Sequence, residues 1–369
     1  MNNYAYVTLL YPNKNGICTY LDGAILTALG LRKQNVIYKI ICIVTNDIKQ
    51  EYIDILKILY DDIIVVDYIS PIKKLNQITI ISDIFSKDDY DDDNNYKDIV
   101  KIFTKLHIFN SDIFKYDKIL FIDNDLIPLE KYDELFNLQC PAGWIEQILE
   151  DKLEFKNFNR YTRICDIWND IKHGDKIPNK YTKVYKIPGR SVNSGLLLIK
   201  PDKNIFNNMI KILQSPLEKW KDIKFQFNGT IGFNRENVNY YILHDQDFLT
   251  QYFENDWHFI DTRFCLWGDN IKYDVYGIHM AGLYYIINNN KKNAKTWQIQ
   301  ISSDDGFNII SNNIAIWGFN NYPILKNILY NHLEFYINNK LYKIKDILIN
   351  DCVYNDLNRY QKKIINILN

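Results

Sequence analysis

The N-terminal part of the chain alternates between short apolar runs and longer segments with helical periodicity. The apolar runs at 4–11, 38–45 and 62–68 predict strands. The segments between them, 19–35 and 49–61, have apolar residues at helical spacing. Strands that alternate with helices are typical of an α/β fold with a largely parallel sheet and helices on both faces. We therefore predict that class of fold.

The pattern continues after an acidic segment without periodicity, 86–98. We interpret this segment as a solvated loop, with a cation-binding tract as the alternative. A polar and aromatic segment at 145–188 shows no clear strand. The other predicted elements are helices at 99–114, 129–137, 203–214 and 245–254, strands at 118–122, 191–201 and 274–282, and a helix at the C-terminal end.

The composition of the chain argues against two classes of binding partner, nucleic acid and membrane. The chain has 369 residues, is 47% hydrophobic and carries a net charge of −1, so it has no basic surface for nucleic acid. Its apolar runs are far shorter than the roughly 20 residues of a membrane span. The six cysteines are far apart and form no CxxC pair, which indicates reduced thiols. We expect a cytoplasmic protein. The rich use of Asn, Ile, Lys and Tyr is typical of an AT-rich genome, such as that of an intracellular parasite or a large DNA virus. For a virus, the cytoplasm would be the host's.

One apolar strand ends directly in two acidic residues. In KYDKILFIDNDLIPLE, residues 115–130, the apolar run is followed by Asp123, Asn124 and Asp125. Ligands of open α/β sheets bind at the carboxyl ends of strands, and carboxylates two residues apart can point to the same side of an extended backbone. Hard cations such as Mg²⁺ or Mn²⁺ take carboxylate ligands and share them with phosphates. The pattern favours a metal and diphosphate site, although Asp-x-Asp also marks ordinary turns.

Two further stretches place polar side chains at the start of predicted elements. Asn193 and Ser194 precede Gly195 at the entry to a buried strand, where a glycine would let a ligand approach the backbone; the alternative is a simple turn. Asp245 and Gln246 begin a helix, where they either contact a ligand or cap the helix.

A histidine near the end of the pattern offers a nitrogen ligand. His279 stands in GIHMAG, between Gly277 and Gly282. A single histidine is more often a core residue than a ligand. If it is a ligand, the metal is better matched by Mn²⁺ than by Mg²⁺, because imidazole suits Mn²⁺ better.

Six stretches, taken in order, resemble glycosyltransferase family 8, the group of glycogenin and the lipopolysaccharide galactosyltransferases. They are YVTLLY, FTKLHIF, KILFIDNDLIPLE, NSGLLLIKP, DQDFLTQYF and IHMAG. The resemblance implies a GT-A fold, a Rossmann-like, mixed, mostly parallel sheet flanked by helices. We predict a GT-A domain over 1–285 and a mixed or helical C-terminal extension over 286–369, which serves the acceptor side or dimerisation.

The resemblance also implies the reaction and the residues that carry it. A hexose would be transferred from a UDP-sugar to a glycan or protein hydroxyl with retention of configuration, in the presence of Mn²⁺ or alternatively Mg²⁺. The metal would be held by Asp123, Asp125 and His279, and the catalytic residues would be Asp245 and Gln246. The other donor contacts implied are Thr8, Leu9, Tyr11, Lys105, Asn124, Asn193, Ser194, Gly282 and Lys295, with Asp123 also near the ribose.

The sequence departs from the family pattern in two places. The family often continues its phosphate loop as His-x-x-Gly-x-x-Lys-Pro-Trp, whereas here Lys295, in KTW, comes ten residues late. Lys291 and Lys292 are alternatives for the diphosphate contact. Residues 145–190 are also longer than in the glycogenin pattern, so acceptor recognition should differ there.

Two other functions compete with a transferase. Phosphatases of the haloacid dehalogenase type also place Asp-x-Asp after an apolar strand, and GDNIKYD at 268–274 resembles their second acidic motif. Their first motif, however, normally opens the domain, whereas three strand–helix units precede it here. The other alternative is a non-catalytic scaffold that binds a UDP-sugar.

Overall fold

The computed structural model describes a subset of the chain, from which all structural statements below are taken. The described residues are 3–12, 16, 18, 20–69, 100–146, 171–179, 182, 191–214, 225–227, 235–238, 244–267, 276–279, 298–300, 315–325, 334–337, 340–343 and 355.

Strands and helices alternate in the first third of the chain, as the apolar pattern predicts. The described strands are β1 Tyr4–Leu10, β2 Lys39–Thr45, β3 Asp62–Val66, β4 Lys118–Ile122, β5 Leu126–Pro128, β6 Ala142–Glu146, β7 Ser191–Ile199, β8 Phe225–Phe227, β9 Arg235–Val238, β10 His258–Phe259, β11 Leu266–Trp267, β12 Gly277–His279, β13 Gln298–Gln300, β14 Glu334–Ile337 and β15 Lys340–Lys343. The described α-helices are α1 Leu21–Lys33, α2 Gln50–Leu56, α3 Lys203–Leu213, α4 His244–Tyr252 and α5 Ala315–Asn321, and the 3₁₀ helices are Val100–Phe109, Asp133–Asn137 and Thr262–Cys265.

The main sheet has seven strands in the order β10-β6-β7-β4-β1-β2-β3. β1 and β4 are parallel, with Tyr4 opposite Lys118 and Val7 opposite Phe121. β6 is parallel to β10 and antiparallel to β7. The sheet is therefore mixed, and it confirms the predicted α/β class with a mostly parallel sheet flanked by helices.

The chain divides into two compact units, each built from separate stretches. The first unit comprises residues 1–7, 66–121 and 134–262. Its core is rich in aromatic side chains, and Phe253 packs against both Phe109 and Trp257. Helix α3 is capped by Asp202, whose carboxylate accepts hydrogen bonds from two backbone N–H groups of the first turn.

The second unit comprises residues 8–65, 122–133 and 263–369. It contains a small sheet in the order β11-β12-β5, in which β12 is antiparallel to β5 and parallel to β11. Helix α1 lies against β5, and the Thr27 hydroxyl donates a hydrogen bond of 2.9 Å to the Leu126 carbonyl. The cluster of β13, β14 and β15 forms another small sheet.

Most predicted elements are present, with three differences. The segment predicted as a helix at 99–114 is a 3₁₀ helix, Val100–Phe109. In the segment predicted as a helix at 129–137, only Asp133–Asn137 is helical. The residues between the end of β5 and this helix form a loop. Strand β6 lies partly in the segment predicted to lack strands, and it pairs with β7 through an irregular register between Gly143 and Ile145. The predicted loop at 86–98 and the C-terminal helix lie outside the described residues, and the boundary near 285 remains a prediction.

None of the described helices is both long and apolar enough to cross a membrane.

Close packing of α1 on β5 generates a prediction about Gly30. A Cβ atom at Gly30 would lie 2.5 Å from the carbonyl oxygen of Pro128, closer than any real contact. Gly30→Ala should therefore lower the free energy of unfolding by about 1–2 kcal/mol because of overpacking. The direction of this change in unfolding free energy is informative. Alanine is a better helix former than glycine by about 1 kcal/mol, so without the close contact the substitution would stabilise the protein.

Urea denaturation of the full chain measures this effect. The control is Lys33→Ala on the same helix, where the side chain is partly exposed and the change should stay within about 0.5 kcal/mol. A Gly30→Ala protein as stable as the wild type would show that α1 and β5 do not approach this closely.

Candidate functional site

The Asp-Asn-Asp segment forms a turn at the end of β4. The strand stops at Ile122, and the backbone N–H of Leu126 donates a hydrogen bond of 3.0 Å to the Asp123 carbonyl. β5 begins at Leu126, directly after Asp125. The two acidic residues therefore flank a tight connection between two strands.

The middle residue of this turn is bonded to β1. The Thr8 hydroxyl donates a hydrogen bond to the side-chain oxygen of Asn124, whose amide N–H donates to the Leu9 carbonyl. Asn124 is buried. The structure thus brings together three residues predicted to contact the nucleotide, and Tyr11 lies one residue beyond β1 with its side chain partly exposed.

β12 places His279 beside this turn. In the antiparallel pairing of β5 and β12, His279 is opposite Leu126. Its Nε2 lies 3.3 Å from Oδ1 of Asp125, and the imidazole is buried while the carboxylate is partly exposed. Two residues predicted as metal ligands are therefore in contact although 154 positions separate them.

The second ring nitrogen of His279 faces a cysteine. The Nδ1 atom lies 3.6 Å from Sγ of Cys265, which is fully buried. The adjacent Phe264 carbonyl accepts a hydrogen bond from the Tyr132 hydroxyl. A Cβ at Gly277 would lie 1.7 Å from that hydroxyl oxygen, so only glycine fits at the start of β12.

The neighbours of His279 control its protonation. Burial alone would lower the pKa of His279, but the sulfur of Cys265 and the carboxylate of Asp125 outweigh burial and hold this pKa well above the usual 6.5. A cation bound at Nε2 would have to replace a proton there, so acid would weaken its binding.

The geometry of Asp125 and His279 fits a divalent cation. Two ligands at right angles, each about 2.1–2.3 Å from the same ion, lie about 3.0–3.3 Å apart. The 3.3 Å between Oδ1 and Nε2 is the separation of an ion pair between the carboxylate and a protonated imidazole, and it is also compatible with this ligand spacing. A carboxylate with an imidazole is also a donor set that suits Mn²⁺.

The third predicted ligand is not gathered into the same group. Asp123 lies just after β4 and is partly exposed. Among the described residues, no three His, Cys, Asp or Glu side chains converge closely enough to hold a metal ion. The pair of Asp125 and His279 is the candidate for a cation site, and the metal roles of Asp123, Asp125 and His279 all remain predictions.

The first unit contains a separate group of predicted residues, built around a buried lysine. Nζ of Lys105 lies 2.8 Å from Oδ2 of Asp245, 3.1 Å from the Ser194 carbonyl oxygen and 3.2 Å from the Ser194 hydroxyl. The ammonium also lies 4.9 Å from the centre of the Phe121 ring. The side chains of Lys105 and Asp245 are only 2% and 3% exposed, so the two charges compensate each other away from water. We call Lys105, Asp245, Ser194 and Gln246 the lysine cluster.

Gln246 joins the lysine cluster through the backbone of β7. Its side-chain oxygen accepts a hydrogen bond of 3.2 Å from the Ser194 N–H, and the side chain is buried. Thr250, one turn later on α4, accepts a hydrogen bond of 2.9 Å from the Val192 N–H. Helix α4 is thus fixed to β7 at two points, which determines where Asp245 and Gln246 lie.

Asn193 lies inside β7, and its side chain is hydrogen-bonded within that strand. Its side-chain oxygen accepts a hydrogen bond of 2.8 Å from the Gly195 N–H, and the residue is buried. The alternative of a simple turn before the strand is not observed, because residues 193–195 belong to β7 itself. Two predicted donor contacts, Gly282 and Lys295, lie outside the described residues.

Sequence reasoning missed two partners of these groups. Cys265 was treated only as a buried thiol, and no motif surrounds it. Thr250 has a signal that could have been used, because it follows Gln246 by four residues and so lies on the same face of a helix.

Among known proteins, the chain is similar to a viral and a plant sequence. It is 29% identical over 271 residues to uncharacterized protein R707 of Acanthamoeba polyphaga mimivirus, covering 68% of this chain and 81% of that protein. It is 24% identical over 217 residues to galactinol synthase 1 of Arabidopsis thaliana, covering 57% of this chain and 54% of the plant protein.

Solved glycosyltransferase structures are similar over much of the chain. The galactosyltransferase LgtC in complex with donor and acceptor sugar analogs has a TM-score of 0.42 and 12% identity, covering 76% of this chain and 88% of LgtC. Mouse xyloside xylosyltransferase 1 has a TM-score of 0.41 and 14% identity, covering 76% of this chain and 98% of that chain.

The family comparison spans both groups of residues. The model for glycosyl transferase family 8 matches residues 15–297, which is more than half of the chain. The chain therefore belongs to glycosyl transferase family 8.

Proposed function

We propose that this glycosyltransferase uses Mn²⁺, transfers glucose or galactose from a UDP-sugar to a hydroxyl group of a glycan or protein, and retains the anomeric configuration. The observation that carries the proposal is the contact between Asp125 and His279 at the end of β4, in a chain that belongs to this family. The donor, the metal and the stereochemistry are the parts that need testing.

The cation would be held by Oδ1 of Asp125 and Nε2 of His279, with Asp123 as a further ligand. Three protein ligands would leave coordination positions for diphosphate oxygens, as is usual for cations that bind nucleotide substrates. When bound, Mn²⁺ would act as a Lewis acid toward the diphosphate leaving group. The nitrogen ligand is the reason to prefer Mn²⁺ over Mg²⁺.

The end of β1 would shape the uridine pocket. Because the Thr8 hydroxyl and the Leu9 carbonyl are bonded to Asn124, these three residues would position the turn and the pocket wall. Tyr11, whose side chain is partly exposed, would contact the base. Gly282 and Lys295 are assigned to the diphosphate by the resemblance alone.

The lysine cluster would serve the donor sugar. Lys105 fixes the carboxylate of Asp245, and Gln246 is fixed through Ser194, so both helix residues are held in one orientation. The amide of Gln246 is a poor nucleophile, and the carboxylate of Asp245 is paired with the ammonium of Lys105. We therefore favour attack by the acceptor on the same face as the leaving group, with the leaving phosphate accepting the acceptor's proton. A glycosyl adduct trapped on Asp245 or Gln246 would refute this pathway.

The acceptor can be an external molecule or the protein itself. The chain has 28 tyrosines, and the resemblance to glycogenin includes self-glycosylation. Intact-mass measurement after incubation with UDP-glucose or UDP-galactose and Mn²⁺ separates the two. A ladder of hexose increments identifies the protein as its own acceptor, and an unchanged mass identifies an external acceptor when UDP is nonetheless released.

UDP release from a panel of UDP-sugars tests the proposed reaction. We expect release from one UDP-hexose with Mn²⁺ and none with EDTA. Binding of UDP without release from any sugar would favour a scaffold. Release without any metal, or no binding of UDP at all, would contradict the proposal, and only then would a phosphatase assay be the next step.

Asp125→Ala should abolish the metal-dependent reaction. Loss of a ligand that supports several kcal/mol of charge stabilisation should lower kcat/KM by about 10³-fold. The fold should persist because this carboxylate is partly exposed. Thermal denaturation with and without Mn²⁺, together with UDP release, measures both effects.

The matched control is Asp62→Ala, which removes an exposed carboxylate of the same unit paired with Lys39 at 2.8 Å. It should leave UDP release within about twofold of the wild type, because exposed ion pairs contribute little. Near-normal Mn²⁺-dependent rates in Asp125→Ala would show that the cation lies elsewhere.

Removing one charge of the lysine cluster should destabilise the first unit more than removing both. Lys105→Met leaves the Asp245 carboxylate buried without its cation, and should lower the free energy of unfolding by about 3–5 kcal/mol. The double variant Lys105→Met with Asp245→Asn has no buried charge and should recover most of this loss.

Catalysis should not recover with stability in the double variant, because the groups assigned to the donor sugar are gone. Urea denaturation and UDP release are measured on the same preparations. A double variant with wild-type turnover would exclude a donor role for both residues, and a Lys105→Met protein of wild-type stability would show that the buried pair contributes nothing.

A further inference from the structure

The imidazole of His279 has a protein partner on each ring nitrogen. Nε2 lies 3.3 Å from Oδ1 of Asp125, and Nδ1 lies 3.6 Å from Sγ of Cys265. His279 and Cys265 are 4% and 0% exposed. Protein groups therefore determine the orientation of this ring.

The two contacts have different requirements for hydrogen atoms. A neutral imidazole binds a cation through the nitrogen that carries no proton, so a ring that binds through Nε2 carries its proton on Nδ1. The group facing Nδ1 must then accept a hydrogen bond. A cysteine sulfur can accept one, and 3.6 Å is a normal separation for a bond to sulfur.

We propose that Cys265 is a positioning residue that accepts a hydrogen bond from Nδ1–H of His279 and so directs Nε2 toward the cation at Asp125. This inference rests on the metal assignment of the proposed function. Outer partners of a metal-bound histidine usually are carboxylates, backbone carbonyls or water. Here a thiol takes that place.

The position of the sulfur is fixed by backbone contacts around it. Cys265 ends a short 3₁₀ helix and immediately precedes β11, which is parallel to β12. The Tyr276 N–H donates a hydrogen bond of 2.7 Å to the Arg263 carbonyl, and the buried Tyr132 hydroxyl donates to the Phe264 carbonyl. These bonds fix the segment that carries the sulfur to the segment that carries His279.

Two substitutions at Cys265 distinguish its role as a hydrogen-bond acceptor from its role in filling space. Cys265→Ala removes the acceptor and leaves Nδ1–H buried without it. Cys265→Ser keeps an acceptor, although oxygen bonds at a shorter distance than sulfur. The alanine variant should therefore bind Mn²⁺ about 10–100-fold more weakly than the wild type, as for other outer partners of metal ligands. The serine variant should lose less.

Direct binding of Mn²⁺ to the full-length protein is the test. Free Mn²⁺ is counted by its electron paramagnetic resonance signal during a titration without any donor sugar, so the result does not depend on turnover. Asp125→Ala serves as the variant without the site. Cys42→Ala is the matched control, because Cys42 is equally buried and bonds to the Ile43 carbonyl of β2. It should bind Mn²⁺ like the wild type even if it is less stable.

The outcomes distinguish this inference from the proposed function. Loss of affinity in Cys265→Ala, partial recovery in Cys265→Ser and normal affinity in Cys42→Ala support it. Normal affinity in Cys265→Ala, with lost affinity in Asp125→Ala, overturns the role of Cys265 and leaves the metal site in place. Equal binding by the wild type and Asp125→Ala, or no binding by either, overturns the metal site itself and with it the role of Cys265.

Discussion

The antiparallel pairing of β5 with β12 is the constraint on which the candidate cation site depends. Three residue pairs, from Gly277 opposite Pro128 to His279 opposite Leu126, join segments about 150 positions apart. A slip of one residue would turn the His279 side chain to the opposite face of the small sheet. The close approach of Gly277 to Tyr132 resists such a slip, because a larger residue shifted into that position would not fit. Backbone pairing, more than the acidic motif itself, therefore determines the geometry.

The lysine cluster follows a different physical principle. Burial of two opposite charges is costly unless their remaining hydrogen-bonding groups are satisfied, and Ser194 supplies two oxygens to the ammonium of Lys105. The cluster therefore specifies one relative arrangement of the Val100–Phe109 segment, β7 and α4. Such a fixed arrangement suits a step in which charge develops on a bound sugar, because fixed groups need not reorganise.

The sequence predicts local features better than the contacts between them. β4 was predicted at its observed bounds because its apolar run is continuous and acidic residues follow it directly. Family membership, together with the mixed sheet, confirms the predicted GT-A fold. β5 was not predicted, because a strand of three residues is too short to show a periodic pattern. The contact between Lys105 and Asp245 could not be read from spacing, since 140 positions separate them. The proposed role of Cys265 could not be read from the sequence either, because no motif shows that its sulfur faces Nδ1 of His279.

The bonds of Asn124 to β1 bear on how this scaffold can diverge. The residue between the two acids is not a predicted metal ligand, but its amide accepts a hydrogen bond from the Thr8 hydroxyl and donates one to the Leu9 carbonyl. An aspartate at this position could accept from Thr8 but could not donate to Leu9, and an alanine could do neither. No replacement of the Thr8 side chain can restore a donor to the Leu9 backbone carbonyl, so the turn should accept at position 124 only a side chain that both donates and accepts, whatever stands at position 8.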